Sequence, residues 1–270
     1  AEGGFFVPED FRTQVIHNTG VPGGVHRPYC TVLTTTLKDG YLPTMGSVSW
    51  AAIAEEAAYG DNTPTVGQVS FNIRKAGGTT KVSSELLEDS AVNLPALLSQ
   101  IFGEAQGRYE DTQLIGGDGS GEAEGIRTSG TDGTVSDSAT AVAIADFETW
   151  YFDLPAQFRA NATVSATSSL MAQVAALDVT ASKGSLTSSP ATTLLGRPTA
   201  LFDGTGWDDA TAISASEEVG CIGDFSNYYL IDRIGMSMRR DDSIYVANDQ
   251  VGFFARSRYD GRVGLADAFR

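Results

Sequence analysis

Two hydrophobic periods alternate along this chain, and the switch between them marks its organisation. In QVSFNIRK, residues 68–75, Val69, Phe71 and Ile73 face one way while Ser70, Asn72 and Arg74 face the other, the period of two shown by a half-covered strand. Further on, Leu94, Leu97, Leu98, Ile101, Phe102 and Ala105 fall at offsets 0, 3, 4, 7, 8 and 11, which makes one apolar stripe at helical period. Ser and Asn caps precede that run and Pro95 sits near its first turn, so the spacing predicts a helix over 94–115, on the order of 30 Å long at about 1.5 Å per residue. Elsewhere the pattern is more broken. TVLTTTL (31–37) is β-branched enough for a strand, and the Asp39-Gly40 turn after it predicts a hairpin-like return ending near Pro43. WAAIAEEAAY (50–59) reads as a short helix stopped by GDNTPTVG.

Residues 141–183 alternate helical patches (AVAIADFETWYFDL, SSLMAQVAAL) with a short strand in NATVSA, which suits a mixed α/β unit. RTSGTDGTVSDSAT (127–140) reads as connection, and 184–206 as turn-rich with two short apolar runs. From Val219 the tail reads as strand in NYYLIDR, GMSMRR, SIYVAN and VGFFARSRYDGRVGL, the last folded at an Asp260-Gly261 turn. The Gly- and Pro-rich opening, to about Pro28, reads as an extended arm with a helical patch at Phe11–His17. Residues 45–80 hold little apolar mass of their own. Such an excursion is expected to rest on another part of the chain or on a neighbouring chain.

Composition narrows the class. With 270 residues, 41% hydrophobic and 9% aromatic, the chain can bury one large core or two modest ones. Cys30 and Cys221 are the two cysteines and lie far apart in sequence, so no disulfide framework is present and a reducing or redox-neutral origin fits. No apolar run reaches bilayer-spanning length, and the opening AEGGFFVPED lacks the basic and apolar regions of a signal peptide. A net charge of −16, from 18 basic and 34 acidic residues, argues against gripping nucleic acid over a large face. The basic pairs Arg74-Lys75, Arg239-Arg240 and Arg256/Arg258 read as solvated strand ends or subunit contacts.

Candidate chemistry centres on LIGGDGSGEAEGI, residues 114–126, where five glycines and three acids fill thirteen positions. Three readings compete: a phosphate cradle, a calcium loop, and a helix C-cap with a glycine-rich connection. A phosphate cradle follows a strand and opens a helix, whereas this loop follows the predicted helix. Asp118, Glu122 and Glu124 lack EF-hand spacing, so the C-cap is favoured. No G-x-S-x-G elbow occurs, and the two histidines, His17 and His26, both fall in the arm, where no rigid support is apparent. A Ser-His-Asp triad is therefore not expected. His17, His26 and Cys30 match no common zinc spacing. The adjacent acids Glu55-Glu56, Asp208-Asp209, Glu217-Glu218 and Asp241-Asp242 read as solvated faces. Nothing in this inventory demands an enzyme.

Taken in order, several stretches resemble the major capsid proteins of tailed double-stranded-DNA bacteriophages of the Hong Kong 97 type. GGFFVPEDF (3–11) is similar to that family's G-G-x-L-V-P-E-x-F opening. YLP (41–43), WAAIAEEA (50–57) and TPTVGQVSF (63–71) resemble its next stations. KVSSELLEDSAVNL (81–94) resembles K-V-S-x-E-L-L-x-D-S, and LIGGDGSGEAEGI resembles L-N-G-D-G-T-G-x-P-x-G-I. LLGRP (194–198), GDFSNYYLIDR (223–233) and VGFFARSRYDGRVGLADAF (251–269) complete the series.

The resemblance implies an α+β fold: an N-terminal arm (1–29), the first part of a P-domain (30–44), an E-loop (45–80), a P-domain spine helix (81–117), an A-domain (about 118–224) and closing strands (225–270). It implies that Gly116, Gly117, Gly119 and Gly121 re-aim the chain after the spine helix. In the E-loop, Trp50, Glu55, Pro64, Val69, Phe71 and Ile73 would meet a neighbouring subunit. Pentamers and hexamers would close an icosahedral shell around double-stranded DNA, with a portal protein and a prohead protease as partners and reinforcement by either a decoration protein or interlocked arms and loops. No cofactor and no membrane partner is implied; assembly would take place in the host bacterial cytoplasm, and a chain beginning AEGGFF is consistent with a protease-cut form. Some members join subunits by a Lys–Asn isopeptide bond promoted by a Glu seven residues after the Asn. Here Asn248 stands near the acceptor position, position 255 is Ala255, and the nearest lysines, Lys38 and Lys75, lie at the base of the E-loop, so no cross-link is expected. An encapsulin-like or gene-transfer shell, and an acidic calcium-dependent binding or hydrolytic protein, are the alternatives.

Overall fold

The computed structural model describes residues 23–53, 55–56, 58, 60, 63–89, 93–133, 143–181, 193–208 and 217–270. The helical patch at 11–17 lies outside them. In chain order the elements are β1 (Thr31–Thr34), β2 (Asp39–Met45), β3 (Val66–Asn72), β4 (Arg74–Ser83), α1 (Ser84–Asp89), α2 (Leu94–Gly116), α3 (Ile126–Ser129), α4 (Ile144–Asp153), α5 (Ala156–Arg159), β5 (Thr163–Ala166), α6 (Ser168–Ala181), β6 (Thr193–Leu194), β7 (Arg197–Leu201), β8 (Gly220–Gly223), β9 (Tyr228–Asp241) and β10 (Gln250–Val263).

They form three sheets. One four-stranded sheet runs β1-β9-β10-β4, its centre the antiparallel β9–β10 pair and one edge the parallel β1–β9 pair. β2 and β3 form a separate two-stranded ribbon. The third sheet, β6-β7-β5-β8, mixes parallel and antiparallel pairs. The predicted long helix is α2, capped by the Asn93 side chain accepting from Ala96 N, with Pro95 in its first turn. Its last turns bury Glu110, Asp111, Gln113, Leu114 and Ile115. Leu114 and Ile115 join Phe147, Leu170, Phe202, Phe225, Tyr228 and Phe269 in one core spanning the third sheet and the near end of the first.

Two Asp-Gly pairs read as turns belong to strands. Asp39 and Gly40 begin β2, which pairs with β3 and not with β1, so the 31–43 hairpin is absent. Asp260 and Gly261 lie inside β10, opposite Ile231 and Leu230. Each glycine sits beneath a cross-strand ring: a Cβ on Gly40 would come within 2.5 Å of Phe71, and one on Gly261 within 3.0 Å of the Tyr228 ring. Room for an aromatic ring, not a reversal of direction, is what these glycines supply. Gly261→Ala is accordingly expected to lower stability by about 1–3 kcal/mol through overpacking, measured by denaturant unfolding. Tyr228 Oη donates to Glu124 O at 2.7 Å, and that bond would be displaced with the ring.

Other readings shift as well. Residues 228–241 form one continuous strand instead of two, and SIYVAN is a turn containing a short 3-10 segment, Val246–Asn248. The described residues of WAAIAEEAAY are not helical. In both places local composition yields to what the strands on either side require.

Candidate functional site

The apolar stripe at the start of α2 is only half-covered, whereas the acids near its end are buried, Glu110 at 5% and Asp111 at 1% exposure. Each is held by the segment leading into β1. Asp111 accepts from Val25 N (2.9 Å), His26 N (3.1 Å) and His26 Nδ1 (3.0 Å). Arg27 bridges Glu110 (2.8 Å) and Asp232 of β9. His26 Nε2 then meets Ser165 Oγ of β5 at 2.7 Å, and Trp207 Nε1 donates to the same Oγ at 2.8 Å. Phe225 stacks on the imidazole at 5.7 Å and Phe202 meets it edge-on.

Asp111, His26 and Ser165 thus stand in the order of a hydrolytic triad, which composition and spacing gave no reason to expect. The surroundings give it a different role. His26 and Ser165 are 0% exposed, and Ser165 lies mid-strand between Ala200 and Cys221. Its hydroxyl is engaged on both sides, accepting from Trp207 and, in the tautomer the network assigns, donating to His26 Nε2 while Nδ1–H donates to Asp111. A nucleophile needs an open face for its substrate. This one has none, and the chain of bonds instead fastens the segment before β1, helix α2 and the third sheet together. His26 therefore has a rigid surround, contrary to the sequence reading.

Neither cysteine offers a reactive thiolate. Burial pushes the Cys221 thiol up to about 12. Burial, then the neighbouring Asp111 charge, raises Cys30 further still. Cys30 Sγ donates to His26 O, so with both ring nitrogens of His26 engaged the pair is not arranged as a metal site; His17 lies outside the described residues.

The glycine-rich loop is a tightly bonded reversal. Gly117 N donates to Gln113 O, Gly119 N to Ala123 O and Gly125 N to Gly117 O. Asp118 caps the turn by accepting from Ser120 N and Gly121 N, and those bonds hold its carboxyl below the usual range. Glu124 is engaged by Arg262 and Ser129, and its N–H donates to Gly261 O. Of the four glycines expected to re-aim the chain, Gly117 leaves no space for a Cβ and Gly119 has φ +70°. Gly116 and Gly121 are open. Gly125, outside that set, is as confined as Gly117, its Cβ position 2.5 Å from Gly117 N. Among the paired acids, Asp208 and Glu218 converge on Arg127 at 3.0 and 2.7 Å.

The remaining candidates lie on the β2–β3 ribbon and the segment between its strands. Trp50 is 99% exposed, and Tyr41, Met45, Val48 and Val66 are each more than half exposed. Glu55 is exposed, Pro64, Val69 and Phe71 are half-buried, and Ile73 is 1% exposed, packed within its own chain. Ile73 is thus removed from the surface a neighbour could touch. Exposed apolar side chains thus gather on this ribbon and the segment between its strands.

A phage capsid family model matches residues 3–270. The chain belongs to the phage capsid family. No curated protein matches its sequence significantly. Among solved structures, the capsid of a native GTA particle is 23% identical with a TM-score of 0.75, covering 100% of this chain and 95% of that one. The capsid of an empty GTA particle is 24% identical with a TM-score of 0.73, covering 95% and 90%. Microbacterium phage Oxtober96 gives 12% identity and a TM-score of 0.76, covering 97% and 94%.

The α+β, Hong Kong 97-type reading therefore holds, and this capsid protein is a structural shell protein. Its buried triad look-alike is an internal fastening of the capsid fold. At the position compared with the family's cross-link, Asn248 is exposed in the β9–β10 turn, while Ala255 is 8% exposed between Gly78 and Met238. Lys38 and Lys75 are exposed. No described helix is long and apolar enough to cross a membrane.

Proposed function

We propose that this capsid protein closes, as rings of five and six copies, into an icosahedral shell around double-stranded DNA. The observation that carries the reading is the β2–β3 ribbon with the segment between its strands, where Tyr41, Met45, Val48, Trp50 and Val66 are each more than half exposed in the single chain. In this proposal the ribbon, residues 39–72, is the E-loop and lies over a neighbouring copy, its bounds moved from the expected 45–80 because β2 begins at Asp39 and β4 pairs with β10. The β1-β9-β10-β4 sheet with α2 is the P-domain, and the β6-β7-β5-β8 sheet with α4 and α6 is the A-domain. Each contact is modest, and many of them in a closed ring act together. Charge of one sign on the inner wall would hold DNA without sticking to it. A portal protein, a prohead protease and assembly in the host cytoplasm belong to the same proposal.

Electron microscopy of the expressed chain tests it: uniform shells tens of nanometres across, with nuclease-resistant DNA inside when packaging partners are supplied, are expected. Dispersed single subunits under every condition would overturn it. The shells are expected to be free of covalent links between subunits, since position 255 is alanine and the ribbon's tip carries no lysine. On a denaturing gel mature particles should run as one band near 28.4 kDa; a ladder would contradict this.

A further inference from the structure

The β2–β3 ribbon joins the rest of the chain through very little backbone. β3 ends at Asn72 and β4 begins at Arg74, so Ile73 alone separates the ribbon from the first sheet on that side, and it is 1% exposed. Ile73 N donates to Lys38 O at 2.8 Å. Hydrogen-bonded and non-bonded pairs alternate along an antiparallel ladder, so the next pair, Asn72 with Asp39, is a non-bonded one and Asn72 N points away from β2. A carboxylate of the sheet receives it: Asn72 N donates to Asp260 Oδ2 at 2.8 Å. Asp260 belongs to β10 and is 1% exposed. The same Oδ2 accepts from Arg262 Nε at 3.0 Å, and Oδ1 accepts from Gly261 N. Arg262 Nη1 continues to Glu124 Oε2 at 3.3 Å, and the other carboxylate oxygen of Glu124 accepts from Ser129 Oγ at the end of α3. Glu124 in turn bridges to Asp118 across the glycine-rich reversal.

We infer that the run Asn72, Asp260, Arg262 and Glu124 fixes the angle of the ribbon to the sheet and couples that angle to the reversal after α2. Tilting the ribbon turns the backbone at Ile73 and Lys38 and draws Asn72 N away from Asp260. Because Asp260 is buried, no water takes the place of the lost donor, and the move is costly. The carboxylate recovers by shifting toward Arg262, which pulls on Glu124 and through it on the loop. What carries the coupling is a contiguous set of charge-assisted hydrogen bonds, a physical connection and not mere proximity. In the shell-forming reading, rings of five and of six set neighbours at different angles. A ribbon held by one buried bond can take a second angle when ring contacts supply the difference. That use of the coupling rests on the shell-forming reading, whereas the coupling itself lies within one chain.

Asn72→Pro tests it, since proline removes the N–H that meets Asp260 and no bond of the β2–β3 ladder. Phe71 before it is already extended, as a residue preceding proline must be. Nitroxide labels on Val66→Cys in the ribbon and Leu265→Cys in the body, both exposed positions, report the angle by double electron-electron resonance on the free subunit. The native thiols are unreactive and stay unlabelled. The label distances should be single and narrow in the otherwise unaltered chain and broadened in Asn72→Pro. In the same variant, amide exchange at Gly119 and Gly125, which donate to Ala123 O and Gly117 O, should quicken about tenfold. Coupling is reciprocal, so Glu124→Gln, a partly exposed site far along the run, should broaden the ribbon distances while unfolding stays cooperative. Should Asn72→Pro fail to fold, Glu124→Gln carries the test. Unchanged distances in folded Asn72→Pro overturn the inference, as does loop exchange that stays unaltered when the ribbon is released. A folded Glu124→Gln that leaves the ribbon distances narrow overturns it too. Both readings come from the free subunit, so a chain that forms no particles overturns the shell-forming reading and leaves this inference standing.

Discussion

Replacing His26 with alanine is expected to lower folding stability by about 3–5 kcal/mol, the combined cost of orphaned buried polar groups and a ring-sized cavity. The loss has three physical parts. Asp111 keeps its backbone donors but loses the imidazole N–H, Ser165 loses its acceptor, and the ring's place between Phe202 and Phe225 is left empty. An unsatisfied buried polar group costs about 1–3 kcal/mol, and cavity formation adds to that. For a chain of this size the melting temperature should fall on the order of 10 °C, read by calorimetry. Ser165→Ala should cost less, about 1–3 kcal/mol, since it orphans one donor and one acceptor without removing a ring. The double variant should lose less than the sum of the two, because both act on one network. Strict additivity would mean that the Asp111–His26–Ser165–Trp207 chain does not act as a unit.

Gly117→Ala is expected to be comparably damaging, about 3 kcal/mol or more, the upper end for forced overpacking. Its backbone, at φ −64° and ψ 142°, suits any residue, so the cost is purely steric. A Cβ there would press on Ala123 O and come within 2.6 Å of Gln113 O, both main-chain atoms that no rotamer change can move aside. Relief requires opening the Asp118–Glu124 bridge, which also carries the Tyr228 and Arg262 contacts to Glu124. Gly121→Ala four residues on meets nothing within 4 Å and should fall within about ±0.5 kcal/mol. Equal effects at the two sites, measured by urea unfolding, would contradict this account of the loop.

What the sequence disclosed follows from the range over which each signal acts. The α2 stripe, its Asn93 cap and Pro95 are local, and they predicted the helix to within a residue or so at each end. The β5 strand and the helices around it were legible for the same reason. Pairing partners were not: nothing local says that Thr31 joins Tyr229 or that Asp39 faces Asn72, and the usual meaning of Asp-Gly misdirected both assignments. The buried clasp was invisible because its members come from residues 26, 111, 165 and 207 and each is unremarkable alone. A pair of adjacent acids near the end of a helix, just before Leu114 and Ile115, was the trace they left, and it reads equally well as a solvated face. Family likeness carried the assembly role, which no local chemistry announced.

The pairing of β1 with β9 and of β4 with β10 also sets an order of events during synthesis. Residue 31 has no strand to join until residue 229 has left the ribosome, and residue 74 waits for residue 259. Pairings this distant in sequence close late and slowly. A nascent chain therefore carries its β2–β3 ribbon well before its β1-β9-β10-β4 sheet is complete. Until β10 is in position the sheet lacks a central strand, and partly made subunits on adjacent ribosomes have no completed sheet through which to join.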